Sequence, residues 1–348
     1  MTRPTARFCL SALLAAMLPI AAQAQDQTSL NLYSARHYQT DQALYDGFTR
    51  ATGIPVKLIE GSDAALLERL ASEGKNSPAD VLLLADASRL WKAEQEGVFA
   101  RIRSPELEKR IPANLRGASN EQGTAWFGFS TRARVIIYNK AEIDPALVQN
   151  YADLARPELK GRLCTRSGFH PYMLSLIGSR MVHEGEAATQ AWANAAVENF
   201  ARKPRGGDTD QIKAVAIGEC GVALSNSYYY VRLMRSDKPE DQAVITATGL
   251  IWPDQNGVGT HVNVSGGGVV ATAPHKQAAR KFIEYLASDE AQKHFAEGNN
   301  EWPAVPDVGI DNPALTGLGD FKVDPLPLSK VGAAQADALK LIDRAGWR

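Results

Sequence analysis

Residues 30–85 decide the fold class and read LNLYSARHYQTDQALYDGFTRATGIPVKLIEGSDAALLERLASEGKNSPADVLLLA. Three short apolar runs in this stretch, residues 30–33, 55–59 and 80–85, are typical of β-strands. The third run is apolar throughout, as in strands that are buried on both faces. Each interval between the runs is long enough to hold one helix.

Both intervals carry helical patterns. Asp41–Thr52 has apolar residues at helical spacing, and Gly53 can end that helix. In the second interval Ser62 can cap a helix that Gly74 ends. This alternation of strands and helices predicts a mostly parallel sheet with helices on its faces.

The chain continues with further strand and helix patterns. Strands are predicted at residues 125–129, 135–138, 163–165, 221–225 and 269–273. Helices are predicted at residues 90–99, 188–201, 209–217, 229–235, 275–287 and 333–342. The strands predicted at residues 125–129 and 135–138 lie near the middle of the chain, where they could connect two lobes of the protein. Three consecutive glycines, residues 266–268, are expected to precede the last strand.

Residues 1–24 have the pattern of a secretory signal peptide. Arg3 and Arg7 precede an apolar run that is too short to span a bilayer comfortably, and Ala22-Gln23-Ala24 fits cleavage after Ala24. No later segment reaches the roughly 18 uninterrupted apolar residues of a membrane helix. We therefore expect a soluble, periplasmic protein.

Length, charge and cysteine content narrow the class further. The chain has 348 residues, about twice a typical domain, which predicts two lobes. Its formal net charge of −1 gives no support for a nucleic-acid partner. Cys164 and Cys220 are most simply a disulfide in an oxidising compartment, and the alternative is a pair of buried thiols too far apart to bridge. Their spacing does not match a structural zinc site.

Two tyrosine-containing loops follow predicted strands. His37 and Tyr38 come just after the first strand, at the strand end where open α/β sheets bind ligands. Tyr172 follows another short strand, with His170 as an alternative ligand. Taken alone, a tyrosine at either position is more often a packing or surface residue.

A third loop, residues 226–230, has the sequence NSYYY at a predicted helix start. Tyr228 and Tyr229 would lie near the positive end of the helix dipole, which favours an ionised phenolate. The alternative is an aromatic cluster on the sheet edge or a stacking platform for an organic ligand.

Together the three loops suggest a site for a hard cation. Phenolate oxygens suit hard ions, but a tyrosine with an ordinary pKa of about 10 coordinates at neutral pH only if a highly charged ion displaces its proton. Ferric ion is the biological metal best suited to this. Four phenolates would leave a negative site that Arg132 or Arg232 could balance, and His37 could bind as neutral imidazole or donate a hydrogen bond.

These motifs resemble the periplasmic ferric-iron-binding proteins of ABC importers, in the branch that uses several tyrosines. The resemblance covers nearly the whole chain after residue 24. Its landmarks are residues 33–38 (YSARHY), 79–81 (ADV), 130–135 (STRARV), 226–229 (NSYY) and 300–303 (NEWP).

The resemblance implies a ligand set and its surroundings. The implied iron ligands are Tyr38, Tyr172, Tyr228 and Tyr229. His37 is implied as a further ligand or a close neighbour of the metal. Arg132 matches a position that faces a small anion such as carbonate beside the metal, and Arg232 one that approaches the site. Some relatives place a glutamate ligand where this chain has Ala85, so the resemblance favours the tyrosine-rich version.

The implied fold is α/β, a two-lobe periplasmic solute-binding protein of type II, a Venus-flytrap clamp with mixed sheets flanked by helices. The expected lobes are residues 25–131 with 263–308, and residues 132–262 with 309–348. The implied partner is an inner-membrane ABC permease, and the protein is expected to be a monomer that is not embedded in the membrane.

Two other functions fit parts of the pattern. The same clamp could hold an organic solute such as a polyamine, a thiamine-like molecule or a phosphonate, although the loops contain few carboxylates for a polyamine. An exported hydrolase is a remote alternative, because the sequence has no G-x-S-x-G or H-E-x-x-H motif. We expect a binding protein and not an enzyme.

Overall fold

The computed structural model describes Met1, residues 29–36 and residues 38–348. The predicted signal peptide after Met1 and the predicted site residue His37 lie outside the described residues. The strands are β1 (Leu30–Ser34), β2 (Val56–Glu60), β3 (Val81–Leu84), β4 (Phe127–Asn139), β5 (Leu163–Cys164), β6 (Val222–Asn226), β7 (Thr248–Ile251), β8 (Val262–Val269) and β9 (Trp302–Pro303).

Helices surround these strands, and several match their predicted bounds closely. The α-helices are α1 (Asp41–Thr52), α2 (Asp63–Glu73), α3 (Ala87–Gln95), α4 (Pro105–Arg110), α5 (Pro171–Glu184), α6 (Glu186–Glu198), α7 (Asp208–Ala216), α8 (Ser227–Met234), α9 (Pro239–Ala247), α10 (Lys276–Leu286), α11 (Asp289–Asn299), α12 (Pro313–Thr316), α13 (Leu328–Ala333) and α14 (Gln335–Ala345). Ser62 caps α2 as predicted, because its side chain accepts a hydrogen bond from the Ala65 backbone N–H at 3.2 Å.

The strands form a mixed arrangement around β4. In the first part β1 has parallel neighbours on both sides, β2 and β3, and β8 runs antiparallel to β3 and to the first half of β4. In the second part the other half of β4 pairs antiparallel with β6 and β7, and β5 lies parallel to β6. The predicted tyrosine ligands lie in the segments that follow the C-terminal ends of β1, β5 and β6.

The two strands predicted at residues 125–129 and 135–138 are one continuous strand, β4, of 13 residues. The intervening segment, residues 130–134, is polar and so resembles a loop, yet all of it is buried. The Arg134 backbone N–H donates to the His261 carbonyl at 2.9 Å and continues the ladder of β4 and β8. Because the polar side chains have buried partners, the strand does not need to end there.

The strand predicted at residues 269–273 is wrong, because the strand ends where it was expected to begin. The three glycines, residues 266–268, lie inside β8 rather than before it. A Cβ atom at Gly266 would overlap the Phe127 carbonyl oxygen, and one at Gly267 would overlap that of Leu82. Glycine is therefore needed where β3 and β4 approach β8 closely.

Helix α5 was missed from the sequence, which placed Tyr172 in a loop. Residues 173–180 are all buried, so this helix lacks the alternation of apolar and polar faces that marks a surface helix. α5 packs with α6, α14 and β6 around a core that includes Leu176, Trp192 and Trp347. Tyr172 is thereby fixed in the first turn of a buried helix.

The predicted disulfide between Cys164 and Cys220 is confirmed, with Cα atoms 5.8 Å apart. It joins the end of β5 to the segment just before β6, and these two strands lead to Tyr172 and to Tyr228. In the part of the chain that the structure describes, no helix is long and apolar enough to cross a membrane.

Candidate metal centre

A cavity of about 210 Å³ lies where the segments after β1, β5 and β6 meet. Six of the seven predicted metal and arginine site residues line it, and the seventh, His37, is not described. The lining residues are Ala35, Arg36, Tyr38, Ala85, Arg132, Tyr172, Tyr228, Tyr229, Arg232 and Ser265. Four tyrosines from three separate segments of the chain therefore line one small cavity.

Tyr38 reaches the cavity from the segment between β1 and α1. Its hydroxyl donates a hydrogen bond to Oε1 of Glu301 at 3.0 Å, and the Arg36 guanidinium lies 4.9 Å from the centre of its ring. Burial, with the nearby Glu301 carboxylate, raises the pKa of Tyr38 well above its ordinary value. Tyr38 is therefore a neutral phenol until something replaces its proton.

Tyr228 and Tyr229 occupy the first turn of α8, immediately after β6. Their ring centres are 4.1 Å apart, and the ring of Tyr228 meets that of Tyr38 edge-on at 6.2 Å. Tyr228 is almost fully buried, and burial raises its pKa well above the ordinary value, with Tyr38 and Tyr172 adding to the shift. The helix dipole opposes this cost in part, since the N-terminus of α8 favours negative charge.

Tyr172 approaches from α5, where Pro171 opens the helix and His170 caps it. The Tyr172 and Tyr228 hydroxyl oxygens are 3.4 Å apart, a distance that one shared cation can bridge. Burial raises the pKa of Tyr172, while the positive charge of Arg132 opposes that rise. Two tyrosines from different helices thus point their oxygens at the same space.

His170 has a structural role in this arrangement. Its Nδ1 accepts a hydrogen bond from the Tyr172 backbone N–H at 3.2 Å, and its ring packs edge-on against Tyr172 with centres 4.5 Å apart. Burial lowers the pKa of His170 to about 3, assisted by the positive charge of Arg166. His170 is a helix cap that holds Tyr172 and does not line the cavity.

Arg132 extends from β4 into the floor of the cavity and is fully buried. Its guanidinium donates to Oγ of Ser265 at 2.7 Å, to the Val264 carbonyl at 3.2 Å and to the Ala85 carbonyl. It also lies 5.3 Å from the ring centre of Tyr172. These contacts fix one positive charge beside the tyrosine oxygens.

Arg232 differs from Arg132 because its side chain is exposed. It lies one turn into α8, with its guanidinium 5.4 Å from the ring centre of Tyr229 and 5.9 Å from that of Tyr228. An exposed arginine at the rim can move without breaking a buried network. Ala85 offers only its backbone carbonyl, and the neighbouring Asp86 is fully buried and caps α3.

Glu301, a fully buried carboxylate at the base of the site, was not predicted from the sequence as a site residue. Glu301 accepts hydrogen bonds from Oγ of Ser130 at 2.6 Å and from Arg36 at 3.2 Å, besides that from Tyr38, and lies 3.4 Å from Arg132. It is 263 residues from Tyr38 in the chain, so neither spacing nor periodicity links the two. Only its place in the landmark at residues 300–303 distinguished it.

The chemistry of the cavity favours a hard, highly charged cation. Among the described residues there is no cluster of three or more His, Cys, Asp or Glu side chains that could hold a metal ion. Oxygen donors at this site come from phenols, which require proton displacement and therefore a strongly polarising ion. The buried Arg132 offsets the negative charge that several phenolates would introduce.

Comparison with known proteins gives a consistent group of matches. The profile of the family described as "Bacterial extracellular solute-binding protein" matches residues 33–293. "Iron uptake protein A1" of Synechocystis is 48% identical over 330 residues, covering 95% of this chain and 90% of that protein. "Fe(3+)-binding periplasmic protein" of Serratia marcescens is 30% identical over 336 residues, covering 95% of this chain and 94% of that protein.

Solved structures match over the same extent. A Trichodesmium protein (IdiA, FutA) in complex with iron and citrate superposes with a TM-score of 0.87 at 53% identity, covering 92% of this chain and all of that one. Apo FutA2 from Synechocystis superposes with a TM-score of 0.86 at 48% identity, again covering 92% of this chain and 100% of that chain. The fold is thus shared with these proteins.

Proposed function

The chain belongs to the bacterial extracellular solute-binding protein family, and we propose that it captures ferric iron in its tyrosine-rich cleft and delivers it to an ABC importer. The family match and the solved structures confirm the predicted resemblance and the two-lobe α/β fold. The observation that carries the proposal is the convergence of four tyrosines from three segments of the chain on one cavity. A binding role of this kind requires no catalytic step.

We propose Tyr38, Tyr172, Tyr228 and Tyr229 as the iron ligands, with His37 as a fifth ligand or close neighbour. The hydroxyl oxygens of Tyr172 and Tyr228 are already within 3.4 Å of each other. Binding replaces their protons with a trivalent ion. The attraction between this ion and the phenolate oxygens offsets the free-energy cost of burying an unpaired phenolate. Neutral hydroxyls with raised pKa values give weaker ligands for divalent ions of the same size.

Arg132 supports the proposed site as its fixed counter-charge. Four phenolates around Fe(III) leave a site of net negative charge, and Arg132 lies beside them with little freedom to move. The cavity of about 210 Å³ exceeds the roughly 30 Å³ of one water molecule several-fold. We therefore propose that a small anion such as carbonate binds beside the iron, with Arg232 at the exposed rim of the cavity.

We also propose lobe boundaries, which the path of the chain through the sheet supports. We place the first lobe at residues 25–131 with 263–308 and the second at residues 132–262 with 309–348. In support, β4 changes its partner from β8 to β6 between Ala133 and Arg134. The cleft then lies between the lobes, and hinge closure around the ion removes water from it.

The proposal extends to export and assembly. We propose that the chain enters the periplasm with cleavage after Ala24 and acts there as a monomer. One chain supplies all four tyrosines of the proposed site, which supports a monomer. Its partner is an inner-membrane ABC permease, which receives the iron when the clamp opens.

Ferric titration with visible absorption tests this function. The mature protein, stripped with chelator at mildly acidic pH, is titrated with Fe(III) from a weak chelator. We expect a phenolate-to-iron charge-transfer band that saturates at one iron per chain and is lost in Tyr228→Phe with Tyr229→Phe. A protein that stays colourless and gains no thermal stability from iron would instead favour an organic solute.

A further inference from the structure

Asp208 is the centre of a buried charge network behind the tyrosines. Its carboxylate, at the start of α7, is fully buried. Oδ2 accepts hydrogen bonds from Nη1 of Arg134 at 2.5 Å and from the Asn226 backbone N–H at 2.8 Å, while Oδ1 accepts one from Nη1 of Arg166 at 3.3 Å. Asn226 is the residue that precedes α8, so the network is attached to the helix that carries Tyr228 and Tyr229.

Arg166 extends this network to the third tyrosine. Its side chain is only 13% exposed, and its guanidinium lies 5.2 Å from the ring centre of Tyr172. Asp208 already forms a closer ion pair with Arg134, which balances its charge. The positive charge of Arg166 is therefore in excess within the network and lies against the Tyr172 ring.

This placement matters once Tyr172 becomes a phenolate. A cation over an aromatic face is attracted even to a neutral ring, and more strongly when the contact is shielded from water. In a phenolate the ring itself carries negative charge, so the attraction increases when a metal replaces the proton. Arg132 contributes a second guanidinium at 5.3 Å, but it is committed to β8 and Glu301, whereas Arg166 belongs to the Tyr172 loop itself.

We propose that Arg166, held in place by Asp208, is a positioning residue for Tyr172 that orients its ring toward the cavity and stabilises the bound phenolate. The network then couples the Tyr172 loop to the start of α8, because one carboxylate binds both. This inference rests on the proposed ferric function and adds a residue outside the cavity lining to it.

The test compares Fe(III) titrations of the full mature chain carrying Arg166→Gln, Arg166→Lys or Arg205→Gln. Arg205 is an exposed arginine just before α7 and pairs with Glu219 on the surface, so it serves as the matched control. We expect Arg166→Gln to bind iron roughly tenfold more weakly, which corresponds to about 1.4 kcal/mol. Arg166→Lys keeps the charge and should retain most of the affinity, and Arg205→Gln should behave as the unsubstituted protein.

The charge-transfer band separates this role from a merely structural one. The transition starts from the π electrons of the phenolate ring, and a cation over that ring lowers their energy. Arg166→Gln should therefore move the band to longer wavelength, while Arg166→Lys should leave it close to its original position. A change in packing alone would weaken binding without this dependence on charge.

The inference is overturned if Arg166→Gln keeps the band position of the unsubstituted protein, whether or not its affinity for iron falls. Should Arg166→Gln fail to fold, as judged by near-ultraviolet circular dichroism, Arg166→Met replaces it with an uncharged chain of similar length and the same expected result. If the unsubstituted protein forms no coloured iron complex, the proposed function fails instead, which is a separate outcome.

Discussion

Glu301 shows how single residues in this site share a buried charge. It faces Arg36 and Arg132 and also receives a hydrogen bond from Tyr38. Arg36 has a second carboxylate partner in Asp41 at 2.7 Å, whereas Glu301 is the only carboxylate to which Arg132 is paired among the described residues. Removing the charge of Glu301 would leave Arg132 buried without an ionic partner.

We predict that Glu301→Gln lowers the free energy of unfolding by about 3–5 kcal/mol, because breaking a buried ion pair from one side leaves an uncompensated charge. Urea denaturation followed by circular dichroism measures this change. The control is Glu108→Gln, since Glu108 is exposed on α4, and it should stay within about 0.5 kcal/mol of the unsubstituted protein. Equal stability of the two variants would show that Glu301 does not carry this charge balance.

Among single residues, the sequence predicted those that belong to an unusual motif within a short stretch of chain. Adjacent tyrosines at a helix start and a tyrosine just after a strand are visible without a structure, and these side chains do line one cavity. Glu301, Arg36 and Asp208 were not predicted as site residues, because each acts through partners that only the fold brings near. His170 was considered as a ligand, but its ring nitrogen serves as a helix cap.

Among the secondary-structure elements, β8 depends most directly on residue size. Its glycines let β3 and β4 lie on either side at a distance that a Cβ atom would not permit. The contacts that a side chain would meet are backbone carbonyls of neighbouring strands, which cannot rotate away as a side chain can.

We predict that Gly267→Ala lowers the free energy of unfolding by about 1–3 kcal/mol, because the new methyl group meets the Leu82 carbonyl. Gly309→Ala is the matched control, since no atom lies within 4 Å of its new Cβ. That control should be neutral or slightly stabilising, as alanine restricts the unfolded chain. Thermal unfolding of both proteins decides the matter, and similar melting temperatures would contradict the proposed close packing.

Elements with a clear surface pattern were predictable and buried ones were not. The bounds of α1 match the prediction, since an amphipathic stretch with a terminal glycine defines both ends. α5 lacks that pattern because its central residues are buried on all sides. β4 was divided in two because its polar middle resembles a loop, and the partners that make those residues acceptable come from distant segments.

Over the whole molecule, buried histidines make stability depend on pH. His261 lies at the junction of the two parts of the sheet and shares a hydrogen bond between its Nε2 and Oγ of Ser175 at 2.9 Å. Burial lowers its pKa to about 4, with Arg134 and His183 adding to the shift and Asp324 opposing it. The unfolded chain, with a histidine pKa of about 6.5, therefore binds a proton that the folded protein does not.

We predict that the stabilising contribution of neutral His261 is fully present above about pH 6.5 and is lost as the pH falls toward 4. The slope should be about 1.4 kcal/mol per pH unit for this group. Urea unfolding at several pH values, in the unsubstituted protein and in His261→Asn, measures it. The variant should have a flatter profile across this range, and an unchanged slope would rule out His261 as its source.

The continuous strand β4 limits how the clamp can move. β4 and β8 cross side by side from one part of the sheet to the other, joined by backbone hydrogen bonds as far as Arg134 and His261. We expect a pair of hydrogen-bonded strands to bend most easily perpendicular to the plane of the sheet. Sliding or rotation of one strand past the other would break the backbone hydrogen bonds between them. We therefore expect opening to follow one direction, so that Tyr38 separates from Tyr172, Tyr228 and Tyr229 and returns to them along a single path.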